Sequence, residues 1–191
     1  MSQLKEMMLR DQLYFAECEW VDDFSTMIEA LMRGSSVILI DGIHAALLLH
    51  TRNFEQRTID EPKTEQVIRG PRDGFNERLD TNLALLRYRL PTEQLKVKTM
   101  KIGRMTKTKV AVCYLEGLTN PDLLQEVLRR LSKIDTDGIL DAGNLEQYIS
   151  DNRWTPFPLL QSTERPDKTV AALLEGRVAI LTDGSPFALL A

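Results

Sequence analysis

Only two cysteines stand in these 191 residues, Cys18 and Cys113, far apart and with no Cys-x-x-Cys pair or His/Cys cluster beside them. That sparsity excludes a disulfide framework, favours reduced core thiols and suggests a cytosolic-facing location. No apolar run attains the ~18 residues a membrane helix needs, and no basic, apolar, small-residue signal opens the chain. Any membrane anchor is therefore expected outside these residues. Positive charge is not in excess either. A net charge of -4 and a pI near 5.3 argue against a generally basic nucleic-acid binder.

What is present is the balance of a folded protein, 43% hydrophobic and 27% charged, in a length that suits one large domain or two small lobes. After Asp22 and Asp23, Phe24, Met27, Ile28, Leu31 and Met32 recur at helical spacing, and Gly34 ends the run. Residues 36–40 form a short branched apolar stretch, Asp41 and Gly42 a turn pair, and residues 45–49 are apolar again. The same grammar returns 142 residues later. Residues 30–49 set against 172–191 without a gap give 10 identities in 20, including both Asp-Gly pairs. This is an internal repeat.

The fold class expected is α/β, with two related lobes that each carry a helix, strand, Asp-Gly turn, strand unit in small mixed or antiparallel sheets flanked by helices. Residues 1–68 are read as the first lobe, 69–92 as a connecting loop and helix, and 93–191 as the second lobe. Phe75, Leu79, Leu83 and Leu86 mark the connecting helix, which is expected to bridge the lobes. Residues 95–115 read as a hairpin about Gly103. Asn120 caps a helix with Pro121 at its first position, and Leu123, Leu124, Val127, Leu128 and Leu131 form its apolar stripe. A short helix follows over residues 144–150, then a proline-bearing loop over 151–165. The first half shows only a short helix around residues 4–9 and no hairpin to match 95–115, so the repeat predicts a missing pair of upstream strands. The chain stops at Ala191, aligned with Leu49, so the second hairpin is expected to be cut short.

Candidate chemistry is thin. Asp41 and Asp183 each supply one carboxylate to a turn, a poor metal site but the residue a tight hairpin turn demands. Arg69 and Arg72 flank Gly70 and Pro71 before a helix N-terminus, which suits an anion or a carboxylate, although the segment lacks the pattern of a phosphate-binding loop. Lys96, Lys98, Lys101, Arg104, Lys107 and Lys109 make the hairpin strongly basic, with no acidic residue between Glu93 and Glu116 and no aromatic from 94 to 112. Nucleic acid would want aromatic interleaving. A solvated strand face is the commoner explanation, and attraction to an acidic partner or anionic headgroups is the functional one. His44 and His50 have no nucleophile or metal-ligand spacing and read as ordinary strand residues. Counting from Asp135, Glu146 falls twelfth as in a calcium loop, but the glycine is fourth rather than sixth, so the segment reads as a loop. No nucleophile with a base, no paired acid and base and no cofactor fingerprint is visible. The residues alone lead to a two-lobed binding or assembly domain that is not an enzyme and needs no cofactor or metal.

Three stretches carry a resemblance. Arg69, Gly70, Pro71, Arg72, Asp73, Gly74, Phe75 followed by Thr81, Asn82, Leu83, Ala84, Leu85 and Leu86 is one; residues 104–112 are another; Thr163, Glu164, Arg165, Pro166, Asp167, Lys168 leading to Asp183, Gly184, Ser185, Pro186 and Phe187 is the third. Together they resemble the GerA family, the A subunits of nutrient germinant receptors of endospore formers. The resemblance implies a cytosolic N-terminal domain that precedes membrane helices in the spore inner membrane, with B and C subunits as partners and a fold that could resemble solute-binding proteins. Its expected role is receptor assembly and germination signal transduction, with self-association as a further possibility. The alternative is direct binding of a small nutrient between the lobes. Arg69, Arg72, Asn82 and Lys107 are the polar groups for the ligand reading, and Arg104, Lys107 and Lys109 those for the interface.

Overall fold

The computed structural model describes residues 18–49, 64–65, 70–150 and 159–191. The expected helix at residues 4–9, His50, Arg69 and residues 151–158 lie outside the described residues. The chain divides into one unit of Met1–Phe54 with Pro91–Glu93 and a second of Glu55–Leu90 with Gln94–Ala191.

In the first unit, strand β1 (Cys18–Val21) leads into helix α1 (Phe24–Met32), then β2 (Ser36–Leu39) and β3 (Ala46–Leu49). Asp23 caps α1, its carboxylate accepting the Thr26 amide at 2.8 Å. The strands form an antiparallel sheet in the order β1-β3-β2. Met27 of α1 packs onto Ala46 and Leu48, with Val21 and Val37 beside them.

The second unit contains α2 (Leu79–Arg89), the hairpin β4 (Leu95–Ile102) and β5 (Thr108–Leu115), α3 (Pro121–Ser132), α4 (Ala142–Ile149), β6 (Gln161–Thr163), α5 (Pro166–Leu174), β7 (Ala179–Thr182) and β8 (Ala188–Leu190). Its sheet runs β4-β5-β7-β8-β6, antiparallel throughout. Asn120 caps α3 with Pro121 in its first turn, as its sequence predicts. Side chains of β7 alternate between two apolar clusters. Ala179 and Leu181 join Leu85, Leu86, Cys113 and Leu173 on one face of the sheet, and Ile180 joins Val112, Leu131, Leu145 and Leu189 on the other.

The repeat is structural as well as sequential. Leu39 pairs with Ala46 and Leu181 with Ala188, so the two hairpins share one register at the 142-residue offset. Gly42 and Gly184 both occupy the left-handed region, at φ +80° and +86°, the conformation the Asp-Gly turn requires. The correspondence also extends further than the identities do. Glu19 pairs with Leu48 and Gln161 with Leu190, so β1 and β6 are equivalent strands on equivalent edges. Neither was apparent in the sequence, and residues 161–163 read there as loop. Gln161, Ser162 and Thr163 lack the apolar, branched signature of a strand, and only the free edge of β8 orders them.

Helix α2, read in the sequence as the connecting helix, packs inside the second unit. Leu79, Leu85 and Leu86 are buried in the cluster that holds Ala111, Leu173 and Leu181, because a stripe of leucines on one helix face needs an apolar wall and α5 with β5 supplies it.

Two measurements check this packing. Leu181 is fully buried, whereas its repeat partner Leu39 is 71% exposed. Leu181→Ala is expected to cost ~2–5 kcal/mol in chemical denaturation and Leu39→Ala less than ~0.5 kcal/mol. Burial pushes the Cys113 thiol up to about 12 from an ordinary 9.0. The unfolded chain thus releases this proton at lower pH than the folded one, and stability is expected to fall as pH rises across that window. At pH 8, Cys113 should resist alkylation until denaturant unfolds the domain, as mass spectrometry of the labelled peptides would reveal.

Candidate functional site: the basic hairpin and the loops around it

The tip of the β4–β5 hairpin is gripped by the segment between α3 and α4. Arg104 and Met105 donate their backbone amides to the carbonyls of Thr136 and Asp137 at 2.9 and 2.8 Å. Thr108 Oγ1 donates to the Ile139 carbonyl at 2.6 Å, and Thr106 Oγ1 accepts the Ile139 amide at 3.2 Å. Thr106 lies against two glycines. A Cβ on Gly103 would stand 2.5 Å from its hydroxyl, and one on Gly138 2.8 Å from its methyl. The threonines and glycines of this region therefore build a tight junction.

Charge at the tip is unevenly compensated. The Arg104 guanidinium forks onto Asp135, Nε to Oδ1 at 2.8 Å and Nη2 to Oδ2 at 2.5 Å. Lys96 reaches Glu116 at 3.2 Å, and the Lys98 ammonium stands 5.7 Å from the Tyr114 ring centroid. Lys101 and Lys109 are direct cross-strand partners. With exposed Lys107, they have no ion-pair partner among the described residues. Lys107 is also the one non-glycine residue among the described residues with positive φ, at 49°. Like charges set opposite one another across a strand pair are destabilising.

Along β4, a cavity of about 410 Å³ is lined by Met100, Ile102, Arg104, Leu131, Ile134 and Asp135 among others. Its guanidinium and carboxylate are already committed to each other. A second cavity, about 330 Å³, lies between α3 and α4 near Leu123, Val127, Ile149 and Leu160. Beside it Glu126 is held down to about 2 by hydrogen bonds from Arg129 and Arg130.

The loop before α2 is fastened at several points. Asp73 pairs with Arg89, and the Phe75 amide donates to the Glu164 carbonyl at 2.8 Å. Asn82 is buried, its Oδ1 accepting the Asn76 amide at 2.9 Å and its Nδ2 donating to the Asn76 carbonyl at 2.6 Å. Both ends of its amide are thus used in folding the loop. Arg72 is exposed on the same loop. Asp183 does more than make a turn. Its carboxylate accepts the Leu79 amide at 3.2 Å, and the Gly184 amide donates to the Glu77 carbonyl at 2.8 Å, so the second Asp-Gly turn anchors the start of α2. Arg165 forks onto Asp167, whose carboxyl is lowered chiefly by that hydrogen bond. Glu65 accepts from Thr163 at 2.7 Å and from Lys168 at 3.0 Å.

Arg104, Lys107 and Lys109 therefore share the hairpin, while Asn82 lies in α2 and fastens the loop before it. Asp135, Glu65, Asp73 and Asp183 were missed as partners in the sequence, since each meets its partner across a distance that no local pattern encodes. Among the described residues no group of three His, Cys, Asp or Glu side chains is placed to hold a metal, and no helix is long and apolar enough to cross a membrane.

The arrangement defines an α/β domain built from a duplicated unit, whose distinctive polar residues lock its own framework. The chain belongs to the GerA family: the family model described as Bacillus/Clostridium GerA spore germination protein matches residues 2–191. It is 45% identical over 176 residues to spore germination protein KA of Bacillus subtilis, covering 92% of this chain and 32% of that protein. To spore germination protein A1 of the same organism it is 43% identical over 170 residues, 89% of this chain and 35% of the relative. The chain thus spans about a third of the length of the curated relatives it matches. Among solved structures, it resembles the N-terminal domain of the A subunit of the Bacillus megaterium spore germinant receptor GerK3, with a TM-score of 0.71 and 36% identity, covering 99% of this chain and 68% of that one.

The two Asp-Gly turns separate experimentally. Asp183→Ala is expected to cost ~1 kcal/mol through loss of the cap on α2, and Asp41→Ala less than ~0.5 kcal/mol. Thermal melts of both variants compare them directly.

Proposed function

We propose that this chain is the cytosol-facing N-terminal domain of a nutrient germinant receptor A subunit, at the spore inner membrane. It acts there in receptor assembly with the B and C subunits and in passing the germination signal to the membrane part, not as an enzyme. The carrying observation is the set of uncompensated lysines on the β4–β5 hairpin, with Lys101 set opposite Lys109. An arrangement that costs the isolated fold stability is explained by an acidic surface that neutralises it. Names of the relatives as spore germination proteins and the likeness to a receptor A-subunit domain support the setting. Arg104 contributes through its grip on Asp135, which holds the tip that carries Lys107. For nutrient binding, Arg69, Arg72, Asn82 and Lys107 were the candidate groups, and the amide of Asn82 is occupied by Asn76.

Lys107→Glu with Lys109→Glu in the full-length A subunit is expected to reduce its recovery with the B and C subunits from spore membranes several-fold and to slow germination. Unchanged recovery would return the hairpin to a solvated face. Titrating the isolated domain with amino acids, sugars and nucleosides by NMR is expected to give no saturable shift, and a saturable one would replace this reading with direct sensing.

A further inference from the structure

Strand β4 ends the sheet of the second unit, and among the described residues β5 is its sole sheet neighbour. The phase of the ladder fixes which of its groups face outward. Glu116 donates its amide to the Gln94 carbonyl at 2.9 Å, so the pairs in phase with it, 98 with 112 and 100 with 110, exchange the β4–β5 hydrogen bonds. The other side of β5 agrees, since the Asp183 amide donates to the Lys109 carbonyl at 2.9 Å and thereby turns Lys109 toward β7. Val97, Thr99 and Lys101 therefore direct their N–H and C=O groups to the outer edge of β4, away from β5.

The two faces beside that edge differ in chemistry. Met100 and Ile102 face the side covered by α3, where the cavity of about 410 Å³ has Leu131 and Ile134 as its far wall. Thr99 and Lys101 face the other side, in register with Ala111 and Lys109, and both lysines are exposed there. A strand laid along β4 alternates its own side chains between these faces. One set meets an apolar cavity and the other meets two ammonium groups. A second copy of β4 does not suit the edge, because Lys96, Lys98 and Lys101 would be set against their own kind. A strand bearing carboxylates on one side does.

We propose that the outer edge of β4, from Val97 to Ile102, takes up an extended segment of a partner chain in which apolar and acidic residues alternate. Its backbone pairs with the outward groups of Val97, Thr99 and Lys101, its apolar side chains enter the cavity beside Met100 and Ile102, and its carboxylates meet Lys101 and Lys109. The opposed lysines, costly in the isolated fold, then share one acidic strand. This deepens the assembly reading and rests on it, by giving the acidic surface that answers the hairpin a form and a seat.

NMR titration of the 191-residue chain with a synthetic octapeptide of alternating valine and glutamate tests it. Saturable shifts are expected at the amides of Val97, Thr99 and Lys101, and none with the same peptide carrying lysine in place of glutamate. Lys101→Glu is expected to raise the peptide Kd at least ~tenfold. Thr99→Pro removes an outward N–H while leaving the β4–β5 hydrogen bonds in place, and is expected to abolish binding in a chain that still melts cooperatively. The absence of any saturable shift overturns the proposal, as does binding that Lys101→Glu leaves unchanged. So does a chain that ignores the peptide and sediments instead with phosphatidylglycerol vesicles, which assigns the lysines to a lipid surface. Peptide binding at β4 alongside B and C recovery untouched by Lys107→Glu with Lys109→Glu sinks the assembly reading alone, and lost recovery without peptide binding sinks the β4 edge alone.

Discussion

Strand β7 is hydrogen-bonded along both edges, and its four side chains are fully buried. Successive residues point to opposite faces of a strand, so Ala179 and Leu181 complete one apolar cluster while Ile180 completes the other. The helices of the second unit are seated against walls that this strand holds together. Its end runs into the Asp183–Gly184 turn, which fastens the start of α2. Its neighbour β5 carries the hairpin whose tip is gripped by residues 136–139.

Around that centre, polar residues divide into two kinds. Asp73, Asn82, Arg104, Arg165 and Asp183 are committed to partners within the unit, and they are among the residues that make the chain's motifs distinctive. A buried or forked hydrogen bond admits few substitutes. Lys101, Lys107 and Lys109 are different, since their charge is answered by nothing described in the fold. A motif can therefore be long and specific without marking a ligand site, and the residues worth testing for interaction are those left over once the framework is satisfied.

The duplicated unit was legible in the sequence, because helix spacing, the paired Asp-Gly turns and ten identities all rest on local chemistry. The capped helix at Asn120 and Pro121 was legible for the same reason. Strands β1 and β6 were not. Gln161, Ser162 and Thr163 become a strand only because β8 offers a free edge, and no propensity in three polar residues announces it. The leucine stripe of α2 was visible, but its wall was not. Of the candidate site, the basic character of residues 96–109 was readable, while the division between engaged Arg104 and uncompensated Lys107 and Lys109 was not.

By itself, then, the sequence determined the repeat, the family and the elements other than β1 and β6, since each depends on residues close together in the chain or on order along it. Tertiary structure decided how the duplicated units diverged. One copy of the unit has β5 and α2 against its edge, and Leu181 is buried; the other lacks them among the described residues, and Leu39 stands exposed. The two leucines are the same residue in the same register, and what distinguishes them is what packs beside them.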